Sequence, residues 1–272
     1  MGITPSLLKT SRVKKPWGRF DLPTPFSNSG DERIGEIWFE PDPLFDALLV
    51  KYLFTDEKLS IQVHPNGSQA RASGAGSRGK DECWYVIDAQ PGATLGVGFA
   101  ERIEADAMRR AALDGSIEEL LVWHPVARGD FFYIPANTVH SIGAGVSLIE
   151  VQQNSDITYR LFDYGRPREL HLDRGIDVAR GEPHDSTLRR HLPERGAQRL
   201  VSGPYFLLDR LDGSPDDAVR QDYKRPLLVI PLDRSVIVGE TEVEPGACGM
   251  APTIEAVQFA QDGLCLIARP CS

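Results

Sequence analysis

An all-β fold with a few short helices is what this sequence predicts, and three observations carry it. Runs of roughly four to eight β-branched and aromatic residues recur between turn signals along most of the chain, the mark of short strands. The 272 residues include 25 glycines and 20 prolines, a density of turn-formers that suits many chain reversals. Helical spacing is confined to one stretch. A chain of this length fills one large domain or two modest ones.

Residues 1–40, rich in Pro, Gly and polar side chains with apolar punctuation such as Trp17, Ile34 and Trp38, read as an extended arm with short edge strands. Strands are expected at Leu48–Phe54, Trp84–Asp88, Thr94–Phe99, Phe131–Pro135, Ser147–Gln152 and Ile157–Asp163. Between them, Ile103, Ala107 and Ala111 recur at helical spacing. Ile117, Leu120 and Leu121 do so again after the Asp114-Gly115 break, so two short helices cover Glu101–Trp123. The stretch 173–199 is mainly charged residues, Gly, Pro and His, and reads as a linker between an N-terminal domain, 1–172, and a C-terminal β-rich domain, 200–272. Strands in the latter are expected at Tyr205–Leu211, Leu227–Pro231, Ser235–Gly239, Ile254–Ala260 and Leu264–Arg269.

Lys and Arg number 30 against 39 Asp and Glu, a formal charge of −9 without a run of basic residues. A nucleic-acid or membrane surface is therefore not expected, and an anionic substrate must meet a local cluster of positive groups. The four cysteines, Cys83, Cys248, Cys265 and Cys271, form no Cys-x-x-Cys pair and suit free thiols in a reducing compartment. With no long apolar stretch, the expected setting is the cytoplasm.

Three segments carry ligand chemistry. In Leu59–Pro65 a strand turns Gln62 and His64 to one face and Ile61 and Val63 to the other. In Gly79–Tyr85, Glu82 and Trp84 share a face opposite Cys83 and Tyr85. In Gly129–His140, a Gly-Asp turn, a strand and a Pro-led turn deliver His140. Imidazole nitrogen and carboxylate oxygen suit zinc and related divalent metals, and the Gln62 oxygen adds a weaker neutral ligand. A lone strand histidine is more often a hydrogen-bonded core or surface residue; three segments, each placing a ligand-type residue beside turn chemistry, outweigh that reading.

Beyond His140, Glu150 interrupts an apolar strand, as a paired core carboxylate or as a site acid/base. Arg160 interrupts another and requires an anion: Glu150, Asp163 or a bound ligand. A lysine in a Gly-rich loop is usually solvated, but Lys80 stands two positions before Glu82, within the field of the site.

As a set, these residues resemble the type I mannose-6-phosphate isomerases of the cupin superfamily. Gln62-Val63-His64-Pro65, then Gly79-Lys80-Asp81-Glu82-Cys83-Trp84-Tyr85, then Pro135-Ala136-Asn137-Thr138-Val139-His140 and Thr158-Tyr159-Arg160 match the family's pattern in order. So do Pro16-Trp17-Gly18, Ile34–Trp38 and Pro167–His171. Asn137 stands where the general cupin motif has Gly, and Asn tolerates the positive φ of such a turn. The match spans roughly residues 12–180, and the helical domain of longer members has no room, as in the short bacterial form. The resemblance implies a cupin or jelly-roll β-barrel followed by a second barrel without metal ligands. It implies one zinc per chain at Gln62, His64, Glu82 and His140, and catalytic roles for Lys80, Glu150 and Arg160 on a sugar phosphate. His124, His171, His184 and His191 receive no site role and read as solvated or capping. Two other readings stay open: another metal-dependent cupin enzyme, such as an iron dioxygenase or an isomerase of a different hexose phosphate, and a non-catalytic sugar-binding or regulatory cupin.

Overall fold

The structure, a computed structural model, describes residues 3–27 and 30–271; positions 1, 2, 28 and 29 of the expected N-terminal domain and 272 of the C-terminal one lie outside the described residues. Four antiparallel sheets stack face to face. The strand runs Leu48–Phe54 (LLVKYLF) and Val146–Gln153 (VSLIEVQQ) are buried almost throughout, which a near-continuous apolar run requires when both faces of a sheet are covered. They lie side by side in a seven-stranded sheet ordered Arg189–His191, Asp130–Ile134, Glu82–Ala89, Val146–Gln153, Leu48–Phe54, Ile34–Phe39 and Thr10–Arg19.

One face of this sheet presents Trp84, Val86, Phe132 and Leu148 to Leu95, Val97 and Ile142 of a five-stranded sheet, ordered Tyr159–Phe162, Ile61–Val63, His140–Ile142, Thr94–Phe99 and Leu121–Pro125. The other face, with Val50, Tyr52, Phe54 and Val151, packs on Phe206, Leu208, Leu228 and Leu266 of a six-stranded sheet. That sheet is ordered Ser6–Leu7, Gly249–Ala251, Leu227–Pro231, Leu264–Pro270, Phe206–Asp212 and Gln198–Ser202. Its far face buries Val229 and Ile267 against Val236, Val238 and Val243 of a three-stranded sheet. The helices Ala105–Asp114, Ile117–Leu120 and Leu172–Val178 cover the outside of the five-stranded sheet through Met108, Ala111, Ile117 and Ile176. The architecture is that of two jelly-roll sandwiches packed back to back, all-β as expected.

Several elements differ from the sequence expectation. Leu121–Trp123, read as the end of a helix, belongs to a strand, Leu121–Pro125, on Thr94–Phe99; its Leu-Val-Trp run suits a strand, and the neighbouring edge supplies the hydrogen bonds. Ile254–Ala260 is a single 3-10 turn, Ile254–Ala256, followed by the two-residue strand Val257–Gln258. The stretch 173–199 packs onto the first sandwich. Its helix covers Tyr159–Phe162, and Arg189–His191 adds an edge strand to Asp130–Ile134, needing only Ile176 and Leu192 as buried anchors. Conversely, Ser6–Leu7 leaves the N-terminal sandwich to pair with Gly249–Ala251.

Two local devices hold the ligand-bearing segments together. A Cβ on Gly79 would lie 2.5 Å from the backbone nitrogen of Gly67, so only glycine lets the long loop close and Lys80 N donate to Pro65 O at 3.1 Å. Asn137 is buried with φ of 75°; its backbone N–H donates to His64 O at 2.8 Å, and its side-chain amide donates to Gln69 Oε1 at 2.7 Å. Its own Oδ1 accepts from Asn66 Nδ2 at 3.3 Å. Replacing Asn137 by Ala is expected to cost roughly 2–4 kcal/mol, combining left-handed strain with orphaned amides. Asn137→Gly, which keeps the φ, should recover about 1–2 kcal/mol of that in urea unfolding; equal losses for the two variants would contradict the strain component.

Candidate metal centre

Strand pairing assembles the site. His140 sits opposite Gln62 on the neighbouring strand, which turns both side chains to the interior of the first sandwich. Glu82 enters from the facing sheet at the start of its strand, with Trp84 on the same side. His64, Glu82 and His140 are each about 1 % exposed, and their ligand atoms all lie within 4.8 Å of one another. Among the described residues this is the one such cluster of metal-ligand types.

Both imidazoles are oriented from behind. His64 Nδ1 is 2.9 Å from Ile157 O and His140 Nδ1 is 2.9 Å from Thr138 O. A carbonyl only accepts, so each Nδ1 carries the proton and each Nε2 offers its lone pair to the centre. These Nε2 atoms stand 3.5 and 3.4 Å from the two oxygens of Glu82. Apart from an ion pair with Lys80 Nζ at 2.7 Å, neither Glu82 oxygen has a hydrogen-bond partner. Gln62 Nε2 is 3.4 Å from His140 Nε2, while Gln62 Oε1 accepts from Ser60 Oγ at 3.1 Å.

The electrostatics favour uncharged rings around one carboxylate. Burial, reinforced by the Lys80 ammonium, holds His64 well below the ordinary imidazole range. Burial brings His140 down to about 4 against the opposing pull of the Thr138 carbonyl. Burial and the neighbouring Glu150 push Glu82 up to about 7, with Lys80 opposing. Burial also works against the charges of Glu150 and Lys80, but Lys51 and Lys80 outweigh it and bring Glu150 to about 2, and Glu150 with Glu82 raises Lys80.

Gln62, Lys80, Glu150 and Arg160 line a cavity of about 410 Å³, and Gln62 and Lys80 connect it to the buried trio, 3.4 Å from His140 Nε2 and 3.2 Å from His64 Nε2. The structure thus brings all seven sequence-selected residues to one place, with Arg160 on the wall. Of the anions expected for Arg160, Asp163 is taken by Arg166 at 3.1 Å and Arg168 at 2.6 Å, and Glu150 by Lys51 at 3.1 Å. Among the described residues Arg160 has no carboxylate in ion-pair range; its Nη1 donates to Glu169 O at 3.0 Å. A larger cleft of about 650 Å³, where Asn66–Arg78 meets Pro204 and Tyr205, carries none of the candidate residues.

Sequence reasoning missed Lys51, Trp38, Ser60 and Arg168 on the cavity wall. Lys51 was detectable by the argument applied to Glu150 and Arg160: a lone charge within an apolar strand. His171, expected to be solvated or capping, stands at the N-terminal cap position of its helix without a capping side-chain bond, and lines the cavity. The other three histidines point elsewhere, His184 to Tyr133 O at 2.8 Å, His191 to Asp130 and His124 to Arg189.

No protein-family model matches the chain. It is 36% identical over 229 residues to mannose-6-phosphate isomerase ManA of Bacillus subtilis, covering 78% of this chain and 70% of that one. The solved mannose 6-phosphate isomerase from Bacillus subtilis superposes with a TM-score of 0.78 at 23% identity, over 98% of this chain and 100% of its own. A zinc-bound holo mannose 6-phosphate isomerase superposes at 0.72 with 13% identity, over 98% and 100%. At these identities the structural matches establish the fold.

Glu82→Ala is expected to weaken binding of a divalent metal at least about a hundredfold in competition titration with a chelator. In metal-free protein, burial holds the Glu82 carboxyl up at about 7, so ionising it at neutral pH works against the fold, and Glu82→Gln is expected to add about 1–2 kcal/mol of stability in urea unfolding at that pH. A destabilised metal-free variant would mean that the carboxylate is there for the fold.

Proposed function

This chain belongs to the mannose-6-phosphate isomerase family and is an enzyme of that type, and on that premise we propose that it interconverts mannose 6-phosphate and fructose 6-phosphate through an enediol, with one zinc per chain. The observation that carries the reading is the buried His64–Glu82–His140 cluster, in contact through Gln62 and Lys80 with a cavity whose wall bears Lys80, Arg160 and Arg168, local cations in a chain of net charge −9. The donor set suits zinc: two outward Nε2 lone pairs, and a carboxylate whose buried oxygens lack hydrogen bonds. Gln62 completes the set if its amide turns its oxygen from Ser60 toward the centre. Zinc held there would stabilise, as a Lewis acid, negative charge developing on the sugar oxygens.

The chain's own groups do the rest. Isomerisation takes a proton from C2 of the open-chain aldose and returns it to C1, while a hydroxyl proton passes from O2 to O1. Glu150, ionised and fixed on the cavity wall, is the proton carrier. Lys80, 3.2 Å from His64 Nε2 and 2.7 Å from Glu82, meets the enediolate oxygens with positive charge. Arg160, on the cavity wall and with no carboxylate in ion-pair range among the described residues, binds the phosphate. The metal chemistry thus falls to residues 1–172 and a structural role to 200–272. Four cysteines outside any disulfide support a reducing, cytoplasmic setting, and no helix of the described residues is long and apolar enough to cross a membrane.

The test is a coupled fructose 6-phosphate assay on protein whose zinc content is measured on the same sample. Zinc-loaded protein should turn over mannose 6-phosphate. Glu150→Gln should lower kcat about 10²–10⁴-fold with zinc retained, and Arg160→Ala should act mainly on KM. Near-normal turnover in Glu150→Gln removes it from the proton-transfer role.

A further inference from the structure

Lys51 is a charge buried in the middle of the apolar strand Leu48–Phe54, with 5 % of its surface exposed. The register of the seven-stranded sheet places Trp38, Lys51, Glu150 and Trp84 directly opposite one another on four adjacent strands, so all four share the face that looks onto the cavity. Lys51 Nζ is 3.1 Å from Glu150 Oε1 and 2.6 Å from Gln152 Oε1, and it lies 4.6 Å from the centroid of the Trp38 ring. The second Glu150 oxygen accepts from Trp84 Nε1 at 3.1 Å. Glu150 is therefore gripped from two neighbouring strands, and the Lys80 ammonium faces Oε1 from 3.9 Å.

A buried ion pair is a poor source of stability, because desolvating two charges offsets much of their attraction, and a hydrophobic pair of similar volume does as well. The position of this one, on the wall of the reaction cavity and one contact removed from Lys80, gives it a different use. Resting on the isomerase reading above, we propose that Lys51 is a positioning residue for the isomerisation. It holds the Glu150 carboxylate against Trp84 and opposite Lys80, and it acts through Glu150 without touching the sugar. Its donors already engage Glu150 and Gln152 and its charge rests on the Trp38 ring. Consistent with this, Lys51 is the strongest of the groups that favour the ionised form of Glu150 against burial.

A double-mutant cycle with a spectroscopic partner tests the idea. In zinc-loaded protein, Lys51→Met should lower kcat for mannose 6-phosphate roughly ten- to a hundredfold, with KM changed less than about threefold. In the Glu150→Gln background the same substitution should change kcat less than about twofold, since its route of action is already gone. In parallel, the indole N–H resonance of Trp84, one of four tryptophans, should shift in Lys51→Met and in Glu150→Gln, while those of Trp17 and Trp123 stay in place. Wild-type kcat in Lys51→Met, or losses that simply multiply in the double variant, would overturn the proposal, the latter by showing direct contact with substrate. Should Lys51→Met fail to fold, Lys51→Gln takes its place in the cycle, and failure of both makes Lys51 structural and ends the idea. If wild-type protein does not isomerise mannose 6-phosphate, the isomerase reading falls, and the Trp84 resonance still decides whether Lys51 holds Glu150.

Discussion

A carboxylate sealed from water makes demands on everything around it. Glu82 is about 1 % exposed and has one ion-pair partner, Lys80, which is itself buried. Left uncompensated, such a charge would be expelled or neutralised. The Lys80 ammonium, delivered by a loop that only Gly79 lets close, meets part of that requirement, while the neighbouring carboxylate Glu150 is held by a second lysine, Lys51. The two imidazoles, turned by backbone carbonyls so that their Nε2 lone pairs face the Glu82 oxygens from 3.5 and 3.4 Å, add electron density at the same point, an arrangement that a divalent cation at the centre would satisfy.

The stacking of sheets makes this arrangement affordable in structural terms. A sheet covered on both faces carries long apolar runs, and any polar residue within it is locked into a fixed orientation by the pleat. Lys51, Glu150 and Trp84 owe their alignment to antiparallel register, in which a slip of one residue would turn each of them toward the six-stranded sheet. The second sandwich secures that register from behind: Val50, Tyr52 and Val151 are buried against Leu208, Leu228 and Leu266. The C-terminal third thus bears on the site without contributing a ligand to the cluster.

Strands that satisfy themselves through local pattern were legible in the sequence. Leu48–Phe54, Thr94–Phe99 and Leu227–Pro231 appear with their expected bounds, since each is an apolar run cut off by turn residues. Strands that exist because a neighbour offers an edge were not. Gly249–Ala251 has no β-branched residue, and in the arm where short edge strands were expected, Thr10–Arg19 runs ten residues, largely polar and half-exposed, as an edge strand with Pro16 and several cations tolerates. The site followed the same division. His64, Glu82 and His140 were found because ligand types beside turns are locally visible, whereas Lys51 hid inside an apolar run, and the anion for Arg160 stayed ambiguous until Asp163 and Glu150 were seen paired elsewhere.

The pairing of Ser6–Leu7 with Gly249–Ala251 also sets a timetable. During synthesis the Ser6–Leu7 strand remains without its partner until residues some two hundred and forty positions later have left the ribosome. The Leu48–Phe54 sheet likewise keeps one apolar face open until Phe206 and Leu228 arrive to cover it. Contacts of such wide sequence separation form slowly, because a long loop must close before they are rewarded. The half-made chain therefore presents a hydrophobic sheet face to its surroundings, which is the kind of surface that chaperones bind and that other nascent chains adhere to.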